Sequence, residues 1–199
     1  MSILTEALER IGYWLCQNPS ATVSLYDVQV GLTRQQIEEI TIELPFSLSE
    51  EVSEFYQWSN GGLNFNFNVE YLEDDNQVYH VDWEYGFFSL EHALAEMDTI
   101  NKSDCRLMTI GWRQCDAGAD CIDVVLGEDV SPVLYFNYHR NYDPELSKEE
   151  IINKFGRFGT LTEMIVNLSN CCQSAEKYES GGGRVYYQVN ARRFRQLLN

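Results

Sequence analysis

The sequence predicts an α+β fold, a mainly antiparallel sheet packed against helices. Three observations carry the prediction. Apolar residues recur at helical spacing in the first sixty residues and again late in the chain. Strand-like segments gather in a run through the middle. Those strands do not alternate one by one with helices, as a parallel βαβ arrangement would require.

The elements follow in order. Leu4, Ala7, Leu8, Ile11, Trp14 and Leu15 form one apolar stripe, so a first helix is expected, ended by Asn18 and Pro19. Residues 21–30, ATVSLYDVQV, are rich in β-branched types and suit a strand or an extended arm. Thr33 and Gln36 have capping-box spacing, with Leu32 and Ile37 at the hydrophobic-staple positions. Ile37, Ile40 and Leu44 continue that stripe until Pro45 interrupts it. Ser47 and Glu50 repeat the capping-box spacing ahead of Leu48, Val52, Phe55 and Tyr56, a stripe extended by Trp58. Two short helices joined by a proline corner are expected.

Ser59, Asn60, Gly61 and Gly62 come next, before a strand. A phosphate-binding loop has its glycines after a strand and before a helix, so that the helix N-terminus meets the anion. The order here is the reverse. The glycines are therefore expected to end a helix at positive φ, as a left-handed cap and hinge. Beyond them, Leu63, Phe65, Phe67, Val69 and Tyr71 alternate with Asn64, Asn66, Asn68 and Glu70, which predicts a strand with one apolar face. Glu73, Asp74 and Asp75 mark a turn, and Val78 to Trp83 a second strand. Ser89 to Met97 reads as a helix through Leu90, Ala93, Leu94 and Met97. Strands are expected near 106–112, 121–126 and 132–138, the first two joined by a CDAGADC turn with Gly118 available for positive φ. Ser147 with Glu150 and Thr160 with Glu163 cap two further helices, the second ending near Cys172. SAEKYESGGG reads as a linker, RVYYQV as a short strand, and Asn190 as the cap of a last basic helix.

The composition narrows the function. The chain has 199 residues, 31 acids against 14 bases and a net charge of −17. A phosphate backbone would be repelled by such a surface, which argues against direct nucleic-acid binding. A basic protein would be attracted. No apolar run approaches the length of a membrane span. The first fifteen residues mix acids into their apolar stripe, unlike a signal peptide, so a cytoplasmic location is the default expectation. In a reducing compartment the six cysteines read as free thiols.

Catalytic patterns find little support. His92 lies on an expected helix without a second histidine four residues away, and His80 and His139 lie in or beside expected strands. Cys115 and Cys121 are spaced unlike a zinc knuckle, and the adjacent Cys171 and Cys172 point apart on a helix. Asp116, Asp120 and Asp123 lack the calcium-loop pattern. No nucleophile elbow occurs. No catalytic residue, metal or cofactor is assigned.

One resemblance spans roughly residues 31–172. A capped helix carrying Ile37 and Glu38, then Leu44-Pro45, then a second helix with Phe55 that ends at Trp58 and Asn60-Gly61-Gly62 before a strand, resembles the SUKH superfamily. The segment MTIGWRQCDAGADCIDVVLGEDVSPVLYF and the closing helix to Cys172 are similar to its second half. That superfamily includes yeast cell-wall assembly regulators and bacterial immunity proteins. The resemblance implies a SUKH-like domain at 31–172, with a helical extension at 1–30 and a linker and extension at 173–199. It also implies a protein-binding role without catalytic residues. The expectation is a non-enzymatic immunity protein that binds and neutralises a cognate toxin, for instance a basic nuclease. The alternative is a regulatory or scaffold protein with no toxin partner. Charge density places the partner surface at Glu70, Glu73, Asp74 and Asp75, with Asp82 and Glu84 beyond, joined by Asp116 and Asp120.

Overall fold

The computed structural model describes residues 1–18, 29–72, 78–100, 106–115, 118–127, 129–136, 146–179 and 185–189. The fold is α+β. The described helices are α1 (Ile3–Gln17), α2 (Arg34–Ile40), α3 (Glu50–Trp58), α4 (Leu90–Ile100), α5 (Lys148–Phe155) and α6 (Leu161–Ser174). The strands are β1 (Asn64–Leu72), β2 (Val78–Phe87), β3 (Leu107–Cys115), β4 (Gly118–Val125), β5 (Val133–Phe136), β6 (Gly156–Phe158), β7 (Glu176–Glu179) and β8 (Val185–Val189).

The eight described strands form one sheet in the order β6-β5-β4-β3-β2-β1-β8-β7. From β1 to β6 each strand lies antiparallel beside the next in sequence. The last two form an antiparallel pair, and β8 joins the edge of β1 in parallel through Asn68–Gln188 and Val69–Val189.

The stripe predicted for α1 is the stripe it buries: Leu4, Ala7, Leu8, Ile11, Trp14 and Leu15. Each fully buried aliphatic side chain contributes about 1.5–3 kcal/mol. They pack with α3, α6 and the inner sheet residues Tyr85, Ile122, Val124, Tyr135 and Tyr187 in one core. Trp14 meets Tyr187 edge-on at 5.2 Å. The core is thus continuous across the boundaries expected near residues 30 and 172. Leu107, Val125 and Leu134 form a second cluster with Ile151 and Phe155. Val124 and Val125 alternate, as do Leu134 and Tyr135, so the second cluster lies on the opposite sheet face under α5. Polar contacts tie α1 to α3: Ser2 Oγ and Thr5 Oγ1 donate to Glu54 Oε1, and Thr5 N donates to the same oxygen at 3.0 Å.

Several local expectations hold. Thr33 and Gln36 make a reciprocal capping box, as do Ser147 and Glu150. Thr160 caps α6 by accepting from Glu163 N. Others need correction. The cap of α3 is Ser49, not Ser47. Ser49 is buried and shares a 2.7 Å hydrogen bond with Ser131, a tertiary bond that fixes the helix start two residues later. The second strand runs on to Phe87. The linker reading of SAEKYESGGG fails at Glu176–Glu179, which is β7: pairing with β8 supplies the order that its exposed, polar residues do not. Along the alternating stretch, Leu63 is buried and Asn64 and Asn66 are half-buried. The side chains of Phe65 and Phe67–Tyr71 lie outside the description, as do residues 21–28 and 190–199.

Candidate functional site

Around Asn60-Gly61-Gly62 the chain makes a joint between three elements. Helix α3 ends at Trp58, whose ring approaches Gly12 of α1. Its C-cap is Ser59 in an extended conformation, so the glycines do not form the expected left-handed cap. They do have positive φ, 84° at Gly61 and 73° at Gly62. These angles turn the chain into β1, and the turn is closed by hydrogen bonds between Gly62 N and Phe87 O and between Phe87 N and Leu63 O. Asn60 is buried and caps a helix thirty residues away. Its Oδ1 accepts from Leu90 N at 2.8 Å, and its Nδ2 donates to Glu91 Oε2 at 3.1 Å. Partial burial raises the Glu91 pKa. Its own backbone N–H, Asn60 and Ser89 outweigh that and hold the carboxyl below the usual range. A Cβ at Gly61 would lie 2.4 Å from Ser89 N and 2.5 Å from the Phe88 carbonyl carbon. These residues therefore join α3 and β1 to the start of α4.

The proline corner between α2 and α3 opens a cleft of about 580 Å³. Leu44 and Pro45 line it, together with Ile37, Phe46 and Leu48 and the charged Arg34, Glu38 and Glu50. Ile42 also lines it and is 79% exposed. Arg34 Nη2 and Glu50 Oε1 form an exposed ion pair at 2.6 Å between the N-terminal turns of the two helices. Arg106 stacks over Phe46 at 4.8 Å. Glu51, one residue on from Glu50, is turned to structural use. Its two carboxylate oxygens accept from Ser131 N at 2.9 Å and from Thr162 N, in the first turn of α6, at 3.1 Å.

The acids expected at the partner surface separate into three groups. Glu70, Asp82 and Glu84 lie on the β1–β2 pair, where the register sets Glu70 opposite His80, Asp82 opposite Asn68 and Glu84 opposite Asn66. Glu84 is half-buried and accepts from Gln114 Nε2 at 2.5 Å, which links it to β3. Asp120 is engaged elsewhere: its Oδ2 accepts from Arg113 Nε at 3.2 Å and Nη2 at 3.0 Å. Arg113 is buried with its guanidinium 3.6 Å from the centre of the Tyr135 ring. Burial pushes the neighbouring Tyr85 hydroxyl up to about 12, against the opposing pull of Arg113. Asp120 is thus paired with Arg113 and keeps 33% of its side chain exposed. Glu73, Asp74, Asp75 and Asp116 lie outside the described residues.

The thiols and imidazoles are placed as follows. Cys171 and Cys172 are buried in α6. Cys121 is half-buried, and burial, then Asp123, Asp120 and Glu96, push its thiol up to about 12. A thiol held there is not a nucleophile at neutral pH. His92 lies against Phe88, with ring centres 4.4 Å apart, and 3.9 Å from Glu96. Among the described residues no three of His, Cys, Asp or Glu gather as a metal site, and no helix is long and apolar enough to cross a membrane.

Sequence reasoning missed the cleft and the role of Glu51. The proline corner and Ile42 were visible in the sequence, but nothing in the periodicity shows that a corner stays open. No protein-family model matches the chain, and neither does any curated protein sequence.

Proposed function

We propose that this chain is a non-enzymatic protein-interaction module that binds a basic protein partner, acting as an immunity protein that neutralises a toxin. The observation that carries the reading is the β1–β2 register. It places Glu70, Asp82 and Glu84 on one strand pair, and Glu73, Asp74 and Asp75 follow β1 in the sequence. Neighbouring like charges repel one another, by a few tenths of a kcal/mol for a typical exposed pair. A cationic partner relieves that repulsion and is drawn in by the −17 charge of the chain. In a toxin that cleaves nucleic acid, such carboxylates would stand where phosphates bind. The resemblance to SUKH proteins points the same way.

The test uses the basic protein recovered with this chain from its native cell. Its affinity should fall steeply between low and moderate salt, because exposed charges are screened beyond roughly 10 Å at 0.1 M. Replacing Glu73, Asp74 and Asp75 together with serine should slow association and leave thermal stability nearly unchanged. Recovery of a toxin whose activity the chain abolishes supports immunity, while recovery of a non-toxic partner assigns the regulatory or scaffold role. Affinity that ignores both salt and the triple substitution refutes the acidic surface.

A further inference from the structure

We propose that β7 is the contact strand of a symmetric dimer of this chain, pairing antiparallel with β7 of a second copy and continuing the sheet across the interface. β7 ends the described sheet, with β8 on one side and no described strand on the other. Its four residues are all exposed, and Tyr178 is 57% exposed. A strand edge of this kind offers unpaired backbone N–H and C=O groups to any strand that fits it. Pairing satisfies those groups and covers part of the tyrosine ring.

The occupant follows from the order of charges. A twofold contact is self-complementary, so a residue that faces another across the axis is faced by it in return. With Tyr178 on the axis, Lys177 faces Glu179 of the second copy and Glu179 faces its Lys177, so two ion pairs flank a tyrosine pair. Other registers lose this match. With Lys177 on the axis the two lysines oppose each other. With the axis midway between Lys177 and Tyr178, Glu176 opposes Glu179 at both ends. Lys177 and Glu179 share one side of β7 and already pair within the chain at 3.3 Å, so both charges stand where a second copy would meet them. A strand of unrelated sequence meets the same charges without the matching order, which discourages it. The opposite edge has no such symmetry: β6 is Gly156–Phe158, and a twofold contact centred there sets Arg157 against Arg157.

The net charge of −17 opposes self-association, but its distribution favours this end of the chain. Residues 1–175 hold 29 of the 31 acids. Residues 176–199 carry Lys177, Arg184, Arg192, Arg193 and Arg195 against Glu176 and Glu179. The dimer thus joins the copies through a part of the sequence in which bases outnumber acids.

The test is sedimentation equilibrium of the full chain from micromolar to millimolar concentration. The parent chain should pass from monomer to dimer. Lys177→Glu alone and Glu179→Lys alone should each weaken the dimer roughly tenfold or more, because symmetry turns two attractive pairs into two repulsive ones. An equimolar mixture of these two variants should recover a dimer of parent strength, since each variant supplies the charge that the other needs. The chain carrying both substitutions should do the same. Both residues are exposed and their surface pair adds little to folding, so the melting temperatures of all variants should match the parent. A parent chain that stays monomeric at millimolar concentration refutes the dimer. A dimer indifferent to either single substitution lies elsewhere and refutes the role of β7. A mixture that stays monomeric refutes the register centred on Tyr178.

Discussion

Gly61→Ala adds one methyl group, and the structure allows its cost to be worked out. The residue has φ 84°, where a side chain costs roughly 1–2 kcal/mol. The added Cβ would also meet backbone, 2.4 Å from Ser89 N and 2.5 Å from the Phe88 carbonyl carbon. Those atoms are backbone just before α4 and cannot rotate away. Relief requires the two segments to part, which weakens the bond from Leu90 N to Asn60 Oδ1, a further ~1 kcal/mol. Forcing the backbone apart adds roughly 1–3 kcal/mol of strain, so the three terms sum to roughly 3–6 kcal/mol, in the range reserved for a named structural failure. Gly127→Ala is the internal control. It has nearly the same φ, 80°, but its Cβ would meet Arg106 Nη1, the far end of an exposed side chain that can swing aside. Its cost should stay near the conformational term, roughly 1–2 kcal/mol. Urea unfolding followed by fluorescence compares the two. With a slope of about 2 kcal/mol/M, Gly61→Ala should unfold about 1 M earlier than Gly127→Ala. Equal midpoints would show that the close approach at Phe88–Ser89 costs nothing, and the joint described here would be wrong.

Two more predictions concern carboxylates. Glu51→Ala removes the shared acceptor of Ser131 N and Thr162 N, so it should cost about 2–3 kcal/mol, read as a fall in melting temperature of roughly 4–10 °C. An unchanged melting curve would dismiss the clasp. Glu54 is partly desolvated, which raises its pKa, but Ser2 and Thr5 outweigh that and hold it below 4.5. A lowered folded pKa gives stability that is present above pH 4.5 and lost as the pH falls through the folded value. Urea midpoints taken from pH 7 downward should therefore drop less below pH 4.5 in Glu54→Gln than in the parent chain, and parallel profiles would refute the role of Glu54.

Local rules made much of the fold legible. The α1 stripe, the Thr33–Gln36 and Ser147–Glu150 caps and the central run of strands depend on neighbours within a few residues, which a sequence displays directly. The elements that escaped depend on distant partners. β7 is polar and exposed, and it is a strand because β8 pairs with it. Ser49 outcompetes Ser47 because Ser131 meets it. Asn60 reaches Leu90 across thirty positions, and Glu51 reaches Thr162 across 111. Such bonds have no period, so composition and spacing carry no trace of them. The candidate surfaces divide the same way. Acid density pointed to Glu70, Asp82 and Glu84, but the bond to Arg113 that occupies Asp120 and the open corner at Leu44-Pro45 emerge only in three dimensions.

The parallel seam between β1 and β8 has a consequence for how the chain is made. Helix α1 leaves the ribosome well before its chief packing partner, α6, and before Tyr187, the residue that Trp14 meets. At 5–20 residues per second the apolar stripe of α1 waits on the order of 7–30 s for that partner. Over the same interval the β1 edge lacks its β8 neighbour, and an unpaired strand edge invites other strands. Nascent chains of this protein are therefore expected to need a holding chaperone until β8 has emerged, and a ribosome stalled shortly before Val185 would display both the uncovered helix and the open edge.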